Sequence, residues 1–258
     1  MLDLVKAEAL KITTARSAWI IVALLILGMA VLGFSTGVGI KQVGLSATPE
    51  TTPTLAEPIG PIEYIGSEPL FTGTALMAVL GGLTGASEFR HHQLRTTFLG
   101  ANHRTQAFLA KLVCLAIFLA VCSFLGAWTA FTTVQLGLGG LGLDPVSLSD
   151  VSWRLIGKAA LAWTLMGLIG QGVSILCRSA LIPILVFIPL SFGLSDLLAK
   201  AWKLAEYLPT AAAGALTASP VHPAPYGEAR GVGVLTIWLL VTVGGALIAF
   251  TRRDVGAR

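Results

Sequence analysis

The sequence predicts an all-α integral membrane protein with six transmembrane helices, and three observations predict it. Of 258 residues, 55% are hydrophobic and 12% are charged, about half the charged share usual in soluble domains. Mean hydropathy is +0.82. The 17 basic and 13 acidic residues are gathered rather than spread, and the stretches they leave without Asp, Glu, Lys or Arg include six long apolar ones: Ser17–Ile40, Pro69–Ser87, Leu112–Leu143, Ala159–Cys177, Ser179–Ser195 and Gly231–Thr251. A hydrocarbon core of about 30 Å takes about 20 helical residues, so each stretch supplies one crossing. These runs are continuous and lack the alternation of outer-membrane strands, which favours helices over a barrel. The same numbers exclude a soluble enzyme.

In chain order, residues 1–16 place Leu2, Val5, Ala9 and Ile12 on one helical stripe, with Lys6, Lys11 and Arg16 elsewhere. This is an amphipathic helix suited to a membrane interface, leading into span one. The apolar run that follows is longer than a signal-peptide core, and Asp3 and Glu8 interrupt the basic flank, so it is read as a retained span. Pro49, Pro53, Pro58 and Pro61 make the loop between spans one and two irregular. Span three is expected to end near Gln135, because Gly137-Leu138-Gly139-Gly140-Leu141-Gly142 suits a helix poorly. Between spans five and six, residues 196–230 begin with an amphipathic stretch, Asp196–Leu208. Leu197, Leu198, Ala201, Trp202, Ala205 and Leu208 share one face of it and Lys200, Lys203 and Glu206 another. It reads as a helix at the outer interface, followed by an apolar stretch at Thr210–Ser219 too short to span, a re-entrant or surface helix. Residues 1–258 thus form one membrane domain.

Orientation follows from Lys and Arg. With a cytoplasmic N-terminus, the inner segments (1–16, 88–111, the turn at Arg178 and the tail from Arg252) hold 11 basic and 4 acidic residues, and the outer segments 6 and 9. Both termini are therefore placed in the cytoplasm. The net charge of +4 is read as topology, and without a clustered basic soluble face no nucleic-acid partner is expected. Cys114, Cys122 and Cys177 all fall in spans and read as small packing residues.

Most soluble chemistry fails on inspection. Gly137-x-Gly139-x-x-Gly142 has the spacing of a dinucleotide fingerprint but no strand–helix unit around it, so it reads as the end of a span. Glu88, His91, His92 and His103 fit no zinc pattern, and no metal is expected. No Gly-x-x-x-x-Gly-Lys-Ser/Thr phosphate loop occurs, and none of the six charge-free stretches holds an ionisable relay. The chain is therefore expected to be no enzyme by itself and to hold no cofactor. Gly33-x-x-x-Gly37 and Gly81-x-x-x-Gly85 permit close helix crossings. Thr164, Gln171 and Ser174 share a face of span four, and Trp128 and Gln135 of span three are similar positions. They are candidates for a substrate path or for interhelical hydrogen bonds. Gln171 is the strongest, because an amide in hydrocarbon must find a partner.

The segment 88–111 carries more information. Gln93–Leu99 forms two helical turns with Leu94, Phe98 and Leu99 on an apolar edge flanked by Arg90 and Arg95. Gly100 stops it, and a second helix starts near Asn102 and runs into span three. Glu88 after an apolar span, then Arg90-x-x-x-Leu94-x-Thr96-Thr97-x-Leu99, then His103-Arg104 and Lys111, resembles the signature of the ABC-2 family of transporter permeases. Glu8-x-x-Lys11 followed by Thr14-x-Arg16-Ser17-x-Trp19 is similar to the same family, as is Glu206-Tyr207-Leu208-Pro209-Thr210 before the last span. The three matches lie in order across nearly the whole chain. One departure is Ala101-Asn102, where many relatives carry Pro.

The resemblance implies the permease subunit of an ABC exporter in the plasma membrane, working with ABC ATPase subunits that hold ATP and Mg and with a second, identical or related permease, among membrane lipids. It implies that Glu88, Arg90, Leu94, Arg95, Phe98 and Leu99 belong to the cytoplasmic coupling helix that docks on the ATPase. The substrate class it implies is amphipathic: a drug, peptide antibiotic or lipid. The rival readings are a stand-alone six-span carrier or channel and a membrane-bound assembly or immunity factor.

The charge bias gives a direct test. Single cysteines at Thr105 and Thr217 in a cysteine-free background are expected to react with an impermeant thiol reagent from opposite sides of the membrane. Labelling of both from one side would overturn the span order.

Overall fold

The computed structural model describes residues 2–53, 55, 57–87, 104–145 and 147–252. Among them the chain is helical, with no strand. Helix α1 (Leu2–Thr14) leads into α2 (Arg16–Val43), followed by α3 (Leu70–Ser87), α4 (Arg104–Leu138) and α5 (Asp150–Cys177). Then come α6 (Leu181–Pro189), α7 (Ser195–Ala201), α8 (Pro209–Leu216) and α9 (Glu228–Arg252). Among the described residues six segments are long and apolar enough to cross a membrane: Arg16–Val43, Leu70–Ser87, Thr105–Leu141, Asp150–Cys177, Leu181–Ala201 and Glu228–Thr251. Each contains most or all of one charge-free stretch.

Two boundaries differ from the sequence expectation. Helix α5 starts nine residues before Ala159. Ser149 caps it, its Oγ accepting from the Ser152 N–H at 3.2 Å, and Asp150 in the first turn complements the helix dipole. Helix α4 runs through Gln135 to Leu138 and ends in a tight turn at Gly139–Leu141. The glycine at 137 does not end the helix because it serves packing: a Cβ there would meet the Phe34 carbonyl oxygen at 2.6 Å.

Helix α5 is the centre of the bundle, packed against α3, α4, α8 and α9, while α2 lies mainly along α4. Trp163 of α5 is fully buried, and its Nε1 donates to the Leu70 carbonyl oxygen at 3.1 Å. Its ring occupies the space a side chain at Gly73 would need. The α3–α5 contact is closer still. A Cβ on Gly81 would fall 1.7 Å from the Gly167 carbonyl oxygen, and one on Gly85 would fall 2.8 Å from that of Gln171. The α2–α4 seam repeats the arrangement, with Gly33 facing Ala130 and Thr133 and Gly37 facing Val134 and Gly137. Both Gly-x-x-x-Gly pairs read from the sequence therefore sit at backbone–backbone contacts.

Span five is not one straight helix. Between Leu190 and Leu194 the backbone leaves helical geometry at Phe192 (φ −94°, ψ 33°) and Gly193 (φ 101°). Pro189 precedes the break, and the Ser195 hydroxyl bridges it by donating to the Leu190 carbonyl oxygen at 2.8 Å. The helix expected over Asp196–Leu208 is likewise divided. It ends at Ala201, Trp202 is extended (φ −147°, ψ 110°), and Lys203–Tyr207 form a tight helical turn. The apolar stretch after Pro209 folds as α8, with Ala212, Ala213 and Leu216 buried.

Helix α1 packs along α4, burying Ile12 and Glu8 rather than the expected Ala9, which is exposed. Lys11 pairs with the Glu8 carboxylate at 2.6 Å, and the Cys114 thiol donates to the Val5 carbonyl oxygen at 3.2 Å. Cys122 is buried as expected of a packing residue, whereas Cys177, the last residue of α5, is exposed.

The seams predict opposite outcomes for two glycine substitutions. Gly81→Ala forces α3 from α5 and is expected to destabilise the protein by about 1–3 kcal/mol. Gly28, with nothing within 4 Å of its Cβ position, is expected to gain about 0.5–1 kcal/mol as Ala, through lower unfolded-chain entropy. Melting temperatures of the detergent-purified variants check both, and equal falls would refute the seam.

Candidate functional site

The span-four candidates separate once their surroundings are known. Thr164 donates its hydroxyl to the Ala160 carbonyl oxygen at 2.7 Å, one turn back on its own helix. Gln171 and Ser174 are buried in the bundle, and among the described residues neither end of the Gln171 amide nor the Ser174 hydroxyl has a hydrogen-bond partner. Both sit where α5 meets Gly85 of α3, with the Ser174 Cβ 3.2 Å from the place a Gly85 side chain would begin. Trp128 is not part of this group, since its ring lies exposed on the surface of α4. Gln135 has a local structural use. Its Oε1 accepts from the Leu143 N–H at 2.8 Å, which closes the glycine-rich turn after α4.

The proposed coupling residues Glu88, Arg90, Leu94, Arg95, Phe98 and Leu99, with His91, His92 and His103, lie outside the described residues. Helix α4 is already formed at Arg104. The other two motif segments are well tied. In the first, Glu8 and Lys11 pair, and the Trp19 Nε1 donates to the Thr13 carbonyl oxygen at 2.7 Å, locking the bend between α1 and α2. In the third, the Tyr226 hydroxyl donates to the Glu206 carbonyl oxygen at 2.7 Å, and the Trp238 Nε1 donates to that of Tyr207 at 2.9 Å. Pro209 then opens α8. Tyr207 and Tyr226 stack with ring centroids 5.8 Å apart, and the Arg230 guanidinium lies over both. Burial pushes the Tyr226 phenol above its ordinary pKa, with Tyr207 and Glu206 adding to the rise.

Sequence reasoning missed a cavity of about 740 Å³ between the 44–69 loop and the segments around α7 and α8. Glu57, Glu68, Asp196 and Glu206 line it, together with His222, and among the described residues no Lys or Arg does. Its apolar walls include Ile65, Phe71, Leu190 and Val221. The loop is held over it by the Ser152 hydroxyl, which donates to the Glu63 carbonyl oxygen at 2.9 Å, and by His222, whose Nε2 lies 3.0 Å from the Glu57 carboxylate. The available signal is the acidic excess of the segment after span one, with Glu50, Glu57, Glu63 and Glu68 against Lys41 alone, which the charge count takes as topology; residues 196–230 are balanced.

Comparison with known protein families and with curated proteins gives no match for this chain.

The unpartnered Gln171 amide predicts a stability gain on removal. A buried polar group without a partner costs about 1–3 kcal/mol, and Gln171→Met keeps the volume while deleting the amide. The variant is expected to melt at a higher temperature than the wild type in detergent. A lower melting temperature would mean that the amide makes a stabilising bond in the intact molecule.

Proposed function

We propose that this chain is the membrane-spanning permease subunit of an ATP-driven ABC exporter that moves an amphipathic substrate outward. The observation that carries the reading is the Arg90-x-x-x-Leu94-x-Thr96-Thr97-x-Leu99 signature between the second and third of six apolar spans. Two further motifs of the same family stand in order on either side, each fixed in the structure by side-chain bonds to backbone carbonyls. The absence of a phosphate loop from the sequence supports an energy source outside the chain. In this reading two permeases pair with two ATPase subunits, whose closure on nucleotide draws the coupling helices together and reorients the permease pair. Both termini and the 88–111 loop then face the cytoplasm. Leu94 and Phe98 form the apolar anchor of the docking helix, and Arg90 and Arg95 orient it.

Co-purification tests the proposal. A stoichiometric ATPase partner supports the exporter, and a chain that transports without one is a carrier. Phe98→Ala removes one large apolar anchor and is expected to weaken partner binding by about 1–3 kcal/mol, while the permease still reaches the membrane in normal amount. Arg95→Ala is expected to act more weakly and with more dependence on salt. Unchanged assembly and unchanged stimulated ATP turnover in both Phe98→Ala and Leu94→Ala would remove the coupling assignment.

A further inference from the structure

We propose that the segment between spans one and two is a strap fastened to the 219–222 turn by the Glu57–His222 pair, closed while His222 carries charge and released when it does not. The pair joins two parts of the chain that differ in stiffness. Glu57 belongs to an irregular stretch with Pro49, Pro53, Pro58 and Pro61, and among the described residues no helix occurs there between Val43 and Ile62. His222 instead stands in a tight turn. The Ser219 Oγ accepts from the His222 N–H at 3.1 Å, and the Ser219 N–H donates to the His222 carbonyl oxygen at 3.3 Å. Pro220, Pro223 and Pro225 restrict the backbone around it.

One end of the strap is held firmly. Ile62 and Ile65 pack with Val134 and Leu138 of α4, with Ile59 beside them, and the Ser152 hydroxyl donates to the Glu63 carbonyl oxygen at 2.9 Å. The attachment to the 219–222 turn is slighter. It consists, among the described residues, of the ion pair at 3.0 Å and the approach of Gly60 to Val221, where a Cβ would lie 2.9 Å from the valine Cγ2. A glycine brings little apolar area to that contact, so the balance between fastened and free rests on the pair.

Residues 207–227 contain no Lys or Arg, so His222 alone can offer Glu57 positive charge from that side. Glu68, Asp196 and Glu206 line the same cavity, with Tyr64 the remaining titratable side chain of the lining. These carboxylates repel Glu57 once the imidazole is neutral. Histidine is the side chain that ordinarily changes charge between about pH 5 and 8. With a charged imidazole the pair is ionic, and with a neutral one a hydrogen bond at most remains. The strap is therefore fastened on the acid side and loosens as pH rises. The two side chains are 63% and 50% exposed, which limits the change to about two- to fivefold in the ratio of closed to open forms. A bond of that size suits a device that opens and closes. It is a property of the single chain and does not rest on the exporter reading.

Distances between nitroxides at Pro53→Cys and Ala229→Cys test the strap, in the full chain without its native cysteines, held in lipid nanodiscs without any ATPase. Pulsed electron resonance is expected to show one dominant distance at about pH 5.5, and a second, longer one at about pH 8.5. The closed-to-open ratio is expected to fall about two- to fivefold between them. Adding Gly60→Cys/Val221→Cys identifies the closed form. The Cβ positions lie 4.0 Å apart, within the range a disulfide spans, and the oxidised variant is expected to hold the acid-side distance at both pH values. His222→Gln is expected to give the open mixture at both, and His222→Lys, charged throughout, the closed form at both. An unchanged wild-type distribution, pH dependence that survives in His222→Gln, or a disulfide that fails to form or holds a different distance would overturn the strap.

Discussion

Helices surrounded by hydrocarbon gain nothing from hiding apolar side chains from one another, since lipid solvates leucine as well as protein does. What holds such a bundle is close contact, and here it is gained by omitting side chains. At Gly81 against Gly167, and at Gly37 against Val134 and Gly137, two backbones approach to distances at which no Cβ fits. The central position of α5 depends on this. Its α3 side is smooth at Gly167 and Gly170, and its α9 side is smooth at Gly172, where a Cβ would meet Thr242 at 2.8–2.9 Å. Trp163 is the complement of this strategy, one large ring filling the volume vacated at Gly73 and Gly126.

The same constraint explains which parts of the fold could be read from the sequence. The apolar helices were legible because a charge in hydrocarbon is expensive, so its absence over 17–32 predominantly apolar residues marks a helix able to cross, whereas the equally charge-free residues 207–227 are broken by four prolines. The two Gly-x-x-x-Gly seams were legible for the related reason that glycine costs helix stability and its presence needs a cause. The boundary of α4 was misjudged by that rule: Gly137 was read as a helix stop, although packing against Phe34 gives it the same kind of use as Gly37. The interruption of span five at Phe192 and Gly193 and the extended Trp202 follow from tertiary context, and apolar periodicity carries no trace of either.

Site residues were less legible because polar residues within spans have two uses that look alike in sequence. Gln135 and Gln171 are both amides in apolar runs. One closes a turn through the Leu143 N–H, and the other is buried without a partner. Only position relative to neighbouring backbone separates them. Trp128, grouped with Gln171 on the sequence, faces outward from α4, and nothing in its local sequence distinguishes that face from the buried one occupied by Phe131.

Hydroxyls within the helices supply a background against which exceptions acquire meaning. Thr129, Thr132, Thr133, Thr164, Thr236, Thr242 and Thr251 each donate to the carbonyl one turn back, so a threonine in mid-helix needs no further partner. Ser123 and Ser174 are buried in long helices with such carbonyls within reach, yet leave them unused. Thr210 is different in kind. Its position in the first turn of α8 places the residue four back, Glu206, outside the helix, where its carbonyl oxygen accepts from Tyr226 and fastens the chain before α9. A threonine in a first turn thus lacks the helical acceptor that its mid-helix counterparts use, and among the described residues the Thr210 hydroxyl is buried without a partner.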